Sequence, residues 1–313
     1  MREIDAVFVT PPSRLAVYQG LSNNLAAIEP PVWSSLIANY LIKKDYTVYI
    51  LDAEAENLTH EQTAEKIAKL NPHLAVFMIY GQQPSASTQC MPGGNKTCKK
   101  LNELSDNSIN TLVVGTHASA LPEKTILEEP YNYVCQGEGP LTIINLIDFI
   151  KGKINDVKKI PGLWYRDKDK NISFNKSAKM FEKLDEDLPG QAWNLLDMTK
   201  YKAHNWHTFG RLASRENYAS LQTSLGCPFK CTFCCINAPF ERNTIRYWSP
   251  KHIASQVRLL VEKYKIFNIK IPDEMFVLNP KQVKEICDEI ISSGYGKDLN
   301  FWAYARIDTL EDN

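Results

Sequence analysis

No stretch of this chain approaches the roughly 20 consecutive apolar residues that cross a bilayer. A signal peptide's uncharged apolar run is missing as well: Met1-Arg2-Glu3-Ile4-Asp5 leads straight into a short apolar segment. Net charge is absent, with 36 Lys and Arg against 36 Asp and Glu. No global field therefore draws the protein to nucleic acid or to an anionic membrane, and the expected partners are small molecules or local protein patches. The dinucleotide fingerprint G-x-G-x-x-G is not found after the first apolar run, where Thr10-Pro11-Pro12-Ser13-Arg14 stand instead. The carboxylates of a phosphorylated receiver are lacking too, since the third run ends in Ile79-Tyr80-Gly81. Eight cysteines are present, but four crowd into 227–235 of a 313-residue chain, which argues against a disulfide-stapled secreted miniprotein and for a reducing cytoplasm.

What is present is an alternation of short apolar runs with helical periodicity. Residues 4–10 read as a buried strand ending at Pro11-Pro12, and Trp33, Leu36, Ile37, Tyr40 and Leu41 recur at helical spacing within 31–44. Further strands are predicted at 47–51, 74–80, 111–115 and 133–135, with helices at 60–70, 97–104 and 140–151 and a loop at 82–95. This order predicts an α/β fold: a doubly wound parallel sheet over 1–151, with its ligand at the carboxyl ends of the strands. Residues 152–217, including a hairpin near 162–171, read as a connecting segment. A second βα series fills 218–313, with strands at 218–225, 268–271 and 300–307 and helices at 251–264 and 280–292. Three strands are too few to close a barrel, so the chain is expected to be a C-terminally truncated piece of one.

Cys227, Cys231 and Cys234 form C-x3-C-x2-C directly after a predicted strand. A cubane cluster normally takes four thiolates, so three protein ligands leave one iron open to a ligand that is not protein. The alternative is zinc, with Cys235, His204, His207 or His252 as a fourth ligand. Zinc ligands usually come as two separated pairs, whereas this triplet occupies one loop. Phe233, inside the triplet, suits a ring lying near an adenine, and Cys235 reads as a packed small hydrophobe. Gly115, Gly137 and Gly139 follow the fourth and fifth strands, where backbone could approach a flat ligand closely; each could equally be a plain turn former.

The cysteine loop resembles the radical-SAM signature. The N-terminal half is similar to the cobalamin-binding domain that precedes the barrel in B12-dependent radical-SAM proteins, through Pro11-Pro12, the run Val114–Pro122 and Gly137-Glu138-Gly139, and the resemblance continues beyond it in the run Cys234–Phe240 and in Trp302-Ala303-Tyr304-Ala305-Arg306. The resemblance implies a [4Fe-4S] cluster on Cys227, Cys231 and Cys234 that reductively cleaves S-adenosylmethionine to a 5′-deoxyadenosyl radical. It further implies a cobalamin contacted by Pro11, Pro12, Tyr80, Gly115, Thr116, His117, Gly137, Glu138 and Gly139. The D-x-H-x-x-G loop of many cobalamin carriers is not in the sequence, so cobalamin is expected without that His ligand.

Asp273 and Glu274 close the strand at 268–271, where a carboxylate could accept a hydrogen bond from the SAM amino group or merely cap a helix. Arg306 could pair with the SAM carboxylate or substrate, or with Asp308 on the surface. The function implied is an enzyme, most simply a methyltransferase acting on an unreactive carbon or phosphorus centre and fed by a flavodoxin or ferredoxin. Rearrangement or cyclisation, and a noncatalytic cobalamin module with a structural cluster, stay open as alternatives.

Overall fold

The computed structural model describes residues 3–22, 26–80, 87–203 and 216–310. The first sheet takes five parallel strands from the N-terminal half: β1 Ala6–Thr10, β2 Val48–Asp52, β3 Leu74–Ile79, β4 Asn110–Gly115 and β5 Tyr133–Cys135. They pair in the order β2-β1-β3-β4-β5. Strand alternation sends Ala6 and Phe8 to one face and Val7 and Val9 to the other. On the first face lie α2 (Val32–Ile42) and α7 (Pro140–Ile150), contributing Leu36, Ile37, Ile143 and Leu146. On the second lie α3 (His60–Leu70) and α4 (Ser87–Leu104), with Ile67 and Leu101. Both faces are covered, as a parallel sheet requires. The Thr59 hydroxyl accepts from the Gln62 N–H and the Gln62 side chain accepts from the Thr59 N–H, so a capping box starts α3.

Two expectations are corrected here. The loop over 82–95 is largely helix, because α4 begins at Ser87 and runs through Pro92-Gly93-Gly94; residues 81–86 lie outside the described residues. The glycines let this helix close on its neighbours. A Cβ on Gly93 would stand 2.6 Å from the Pro12 carbonyl, and one on Gly94 2.6 Å from the Tyr131 hydroxyl. The hairpin of the connecting segment, β6 Leu163–Arg166 and β7 Ile172–Phe174, continues the first sheet antiparallel from β5, making seven strands. Shorter helices were not foreseen: α1 Arg14–Tyr18, α5 Thr116–Ala120, α6 Pro122–Glu128 and α8 Leu184–Asp187.

The second unit is smaller. The strand expected at 218–225 is divided into β8 (Tyr218–Ser220) and β9 (Ser224–Gly226); β9 pairs antiparallel with β10 (Ile245–Tyr247). Helix α9 (Pro250–Tyr264) leads to β11 (Asn268–Ile271), and α10 (Pro280–Ser292) leads to β12 (Asn300–Ala303). Proline at the first position of both helices costs no hydrogen bond and presets φ. The three parallel strands run β12-β11-β8. A continuous apolar core joins the two units, passing from Phe8 and Ile37 through Trp193 and Tyr218 to Trp248, Val257 and Ile269. No helix among the described residues is long and apolar enough to cross a membrane.

Candidate functional site

The cysteine loop leaves β9 through Gly226, whose φ of +92° and whose missing Cβ, which would lie 2.3 Å from the Thr244 carbonyl, explain the glycine. Asn237 braces the loop from its far end. Its Oδ1 accepts from the Cys227 N–H at 3.0 Å, and its Nδ2 donates to the Cys227 carbonyl at 2.7 Å. Cys227 is buried with Ile236 and Met275, while Cys231 and Cys234 are exposed. All three line one recess, as does Cys235. Burial pushes the Cys227 thiol up, and Glu274, Cys234 and Cys231 add to the shift through their negative charge. Bound iron would reverse that balance, because a metal ligand must be the thiolate. By chemistry and placement the donor set suits a cluster. Among the described residues, however, no three His, Cys, Asp or Glu side chains are gathered into a metal-holding group. Of the other zinc-ligand candidates, His204 and His207 lie outside the described residues, and His252 sits in the first turn of α9.

Around the loop the candidate residues divide by what they touch. Asp273 is fully buried, and its carboxylate accepts from the Thr223 N–H (2.8 Å), the Thr223 hydroxyl (2.5 Å) and the Ser224 hydroxyl (2.6 Å). It fixes the β8–β9 junction, and burial, offset by these bonds, pushes its carboxyl up to about 6. Glu274 differs: its Oε2 is buried with no hydrogen-bond partner, and burial pushes its carboxyl up to about 8. Arg306 bonds Asp308 through Nε (2.9 Å) and Nη2 (2.5 Å) while its guanidinium lies 4.2 Å from the centre of the Phe229 ring, beside the cysteine loop. Phe233 is 91% exposed, with no packing that fixes its ring.

A second concavity opens where the carboxyl ends of β1 and β3 face those of β8 and β11. Thr10, Pro11, Met78 and Tyr80 line it from the first sheet, Pro30, Pro31, Trp33 and Ser34 from the start of α2, and Gln222 and Pro272 from the second unit. This is the switch point of the 2-1-3-4-5 strand order, where ligands of open α/β sheets bind. The Trp33 and Tyr80 rings stack at 4.8 Å with 11° between their planes. Thr10 Oγ1 and Ser34 Oγ are buried without a hydrogen-bond partner, which fits a polar ligand that the protein itself does not replace, while the Tyr80 hydroxyl is buried away from the crevice near Cys135 and Glu138. Ser34, Trp33 and Gln222 carry no motif, and sequence reasoning did not single them out.

The other expected contacts are engaged within the protein. Gly115 has φ of +155°, and a Cβ there would stand 2.1 Å from the Ile79 carbonyl, so the neighbouring strand alone demands glycine. Thr116 is buried at the start of α5. His117 accepts no place in the crevice lining: its N–H donates to Ser87 Oγ (2.7 Å) and its Nδ1 meets Thr88 Oγ1 (2.9 Å), while burial lowers its basicity. A Cβ on Gly137 would have only the Pro239 carbonyl near it, at 3.9 Å, and Gly139 packs on Val114 and Ile37. Glu138 forms a buried ion pair with Arg246 of β10. Pro12 supplies the carbonyl that Gly93 approaches.

With that geometry in view, residues 18–147 match the family described as B12 binding domain. The match covers less than half of the chain. Along its whole length the chain has the fold of cobalamin-dependent radical SAM proteins. It superposes on the cobalamin-dependent S-adenosylmethionine radical enzyme OxsB, with aqua-cobalamin and S-adenosylmethionine bound, at a TM-score of 0.72 and 18% identity, covering 99% of this chain and 40% of that one. Against the radical S-adenosylmethionine methyltransferase TsrM of Kitasatospora setae the TM-score is 0.67 at 16% identity, covering 96% and 54%. In sequence it is 27% identical over 313 residues to an uncharacterized methyltransferase, PH0819, of Pyrococcus horikoshii, and 26% identical over 294 residues to the anaerobic magnesium-protoporphyrin IX monomethyl ester cyclase of Cereibacter sphaeroides. The chain spans 62% and 45% of the lengths of these two relatives.

Proposed function

We propose that this chain carries the cobalamin site and the cluster loop of a radical SAM enzyme, with Cys227, Cys231 and Cys234 holding a [4Fe-4S] cluster, and that the reaction is methyl transfer to an unreactive centre. The observation that carries the reading is the placement of three cysteines in one recess on a unit packed against the B12 binding domain. When bound, the cluster and cobalamin supply reductive cleavage of S-adenosylmethionine and delivery of a methyl group.

The chain's own residues do the rest. Asn237 holds the loop's first cysteine by both its backbone groups, and Asp273 fixes the turn that precedes it. Glu274, with its unpartnered oxygen, would accept from the SAM amino group, and Arg306, next to the loop, would take the SAM carboxylate on exchanging Asp308. Tyr80, Thr10 and Pro11 line the crevice that would take a corrin. The electron donor would be a flavodoxin or ferredoxin in a reducing cytoplasm.

Methyl transfer is favoured by the relatives named as methyltransferases, from Pyrococcus horikoshii and Streptomyces wedmorensis, while the cyclases point to ring closure. Anaerobic reconstitution with iron, sulfide, cobalamin, S-adenosylmethionine and a strong reductant tests the proposal. S-adenosylhomocysteine together with 5′-deoxyadenosine supports methyl transfer, and 5′-deoxyadenosine alone supports cyclisation or rearrangement. Bound cobalamin with neither product leaves a noncatalytic module.

A further inference from the structure

The crevice between the two sheets contains charge, yet each charged group in its lining already has a partner. Arg14 Nε stands 3.5 Å from Glu54 Oε2, and Glu54 also accepts from the backbone N–H groups of Ser13 and Arg14. Glu29 pairs with Lys270 at 2.5 Å; Lys270 is 2% exposed and lies 5.4 and 5.5 Å from the ring centres of Trp302 and Tyr304. A pair this buried is not available to a third charge, because drawing one member away leaves the other uncompensated. The groups left to a ligand are neutral. Thr10 Oγ1 and Ser34 Oγ have no hydrogen-bond partner, and the Gln222 side chain lines the barrel side of the same space.

We propose that this crevice selects a corrinoid whose rim bears carboxamides and rejects one whose rim bears carboxylates, with Thr10 and Ser34 meeting the neutral amides. The inference rests on the reading of residues 18–147 as corrinoid-binding and goes beyond it by naming the chemistry of the rim that is read. A primary amide both donates and accepts, so it satisfies an orphaned hydroxyl without bringing charge. A carboxylate only accepts, and it would enter a weakly solvated crevice whose single lining cation, among the described residues, is already engaged by Glu54. The Thr10 and Ser34 hydroxyls can turn toward a ligand about one torsion each.

The test is a titration of the purified chain, followed by visible absorbance, with aquacobalamin, with cobinamide, which keeps the amides but lacks the nucleotide tail, and with cobyrinic acid, whose rim is carboxylate. Cobalamin and cobinamide are expected to bind at neutral pH, and cobyrinic acid to bind on the order of 100-fold more weakly. Ser34→Ala and Thr10→Val should each weaken cobinamide by about fivefold, with unfolding temperatures near that of the parent and no change in the residual binding of the acid. Should Thr10→Val fail to fold, Ser34→Ala and the comparison of corrinoids on the unaltered chain decide the matter. Cobyrinic acid binding within about threefold of cobinamide overturns the selection and leaves the corrinoid-binding reading standing. Failure of all three corrinoids to bind overturns both.

Discussion

Glu138 and Arg246 are joined by two hydrogen bonds, Nη2 to Oε1 at 2.5 Å and Nη1 to Oε2 at 3.2 Å, with both side chains nearly excluded from solvent. Glu138 follows β5 of the first sheet; Arg246 lies on β10, opposite Leu225 of the strand that feeds the cysteine loop. Arg246 also donates to the Phe181 carbonyl, and its guanidinium sits 5.1 Å from the centre of the Phe240 ring. The pair therefore ties the first sheet to the strand that supports the cysteine loop, and one of its members is a residue expected to contact cobalamin.

Removing one member of such a pair strands the other charge in a low-dielectric setting. Glu138→Ala and Arg246→Ala are each expected to lower unfolding stability by about 3–5 kcal/mol, and the double replacement Glu138→Leu with Arg246→Met by clearly less than the sum. Denaturant unfolding of the four proteins measures this. A cost below about 1 kcal/mol for either single variant would show that the clasp is dispensable.

Glycine replacements separate internal packing from ligand approach. Gly115→Ala puts a Cβ against the Ile79 carbonyl at 2.1 Å and should prevent stable folding, whereas Gly137→Ala meets nothing closer than 3.9 Å and carries only the strain of φ near +129°, about 1–2 kcal/mol. Circular dichroism and thermal unfolding of the two variants decide between them. Equal stability would mean that β3 and β4 can part at their ends.

Much of this architecture could be read from the sequence, because β1, β3 and β4 are continuous apolar runs and the cysteines fall within eight residues of one another. Reading failed where tertiary contact overrode local preference. Pro92-Gly93-Gly94 looks like a loop and is a helix, since its small residues admit Pro12 and Tyr131 at close range. The run at 218–225 looks like one strand and is two, since Asp273 binds Thr223 and Ser224 and turns the chain between them. The crevice is only partly legible: Pro11 and Tyr80 are expected at a ligand, but Ser34 and Gln222 come from distant segments and stand in no motif.

Asp52 gives a pH dependence remote from the cysteines. Burial pushes its carboxyl up to about 7 from 3.8, against bonds from the Glu54 and Ala55 N–H groups and the Tyr201 hydroxyl. A carboxyl whose pKa is higher folded than unfolded favours the folded state while protonated. Its contribution is intact below pH 4 and is lost as pH rises to about 7, by on the order of 4 kcal/mol. Asp52→Asn keeps an acceptor for the backbone and does not titrate, so its unfolding temperature should gain on the parent's between pH 4 and 7 and run parallel above. Loss of ground by Asp52→Asn against the parent over that range would reverse the assigned sign.

The loop brace can be tested without any turnover. Asn237→Ala removes both bonds to the backbone of Cys227 while leaving the three thiols in place. Iron and sulfide content after reconstitution should fall well below the parent's, with thermal unfolding of the unreconstituted protein changed by no more than about 1–3 kcal/mol, the cost of orphaned backbone groups. Full iron loading in Asn237→Ala would show that the loop organises itself around the cluster.

Cys235 shares the recess with the three proposed ligands, and burial pushes its thiol up as it does that of Cys227, so placement alone does not separate the four. Sequence adjacency does, because Cys234 and Cys235 are neighbours and a cluster corner takes one thiolate. Cys227→Ala, Cys231→Ala and Cys234→Ala are each expected to abolish the brown chromophore and the spectral change on adding S-adenosylmethionine, and Cys235→Ala to preserve both. Loss in Cys235→Ala equal to loss in Cys234→Ala would move the third ligand or add a fourth, closing the iron that S-adenosylmethionine needs. Binding of one zinc and no iron by the unaltered chain would replace the cluster with a structural tetrahedral site, in which Cys235 would be the natural fourth ligand.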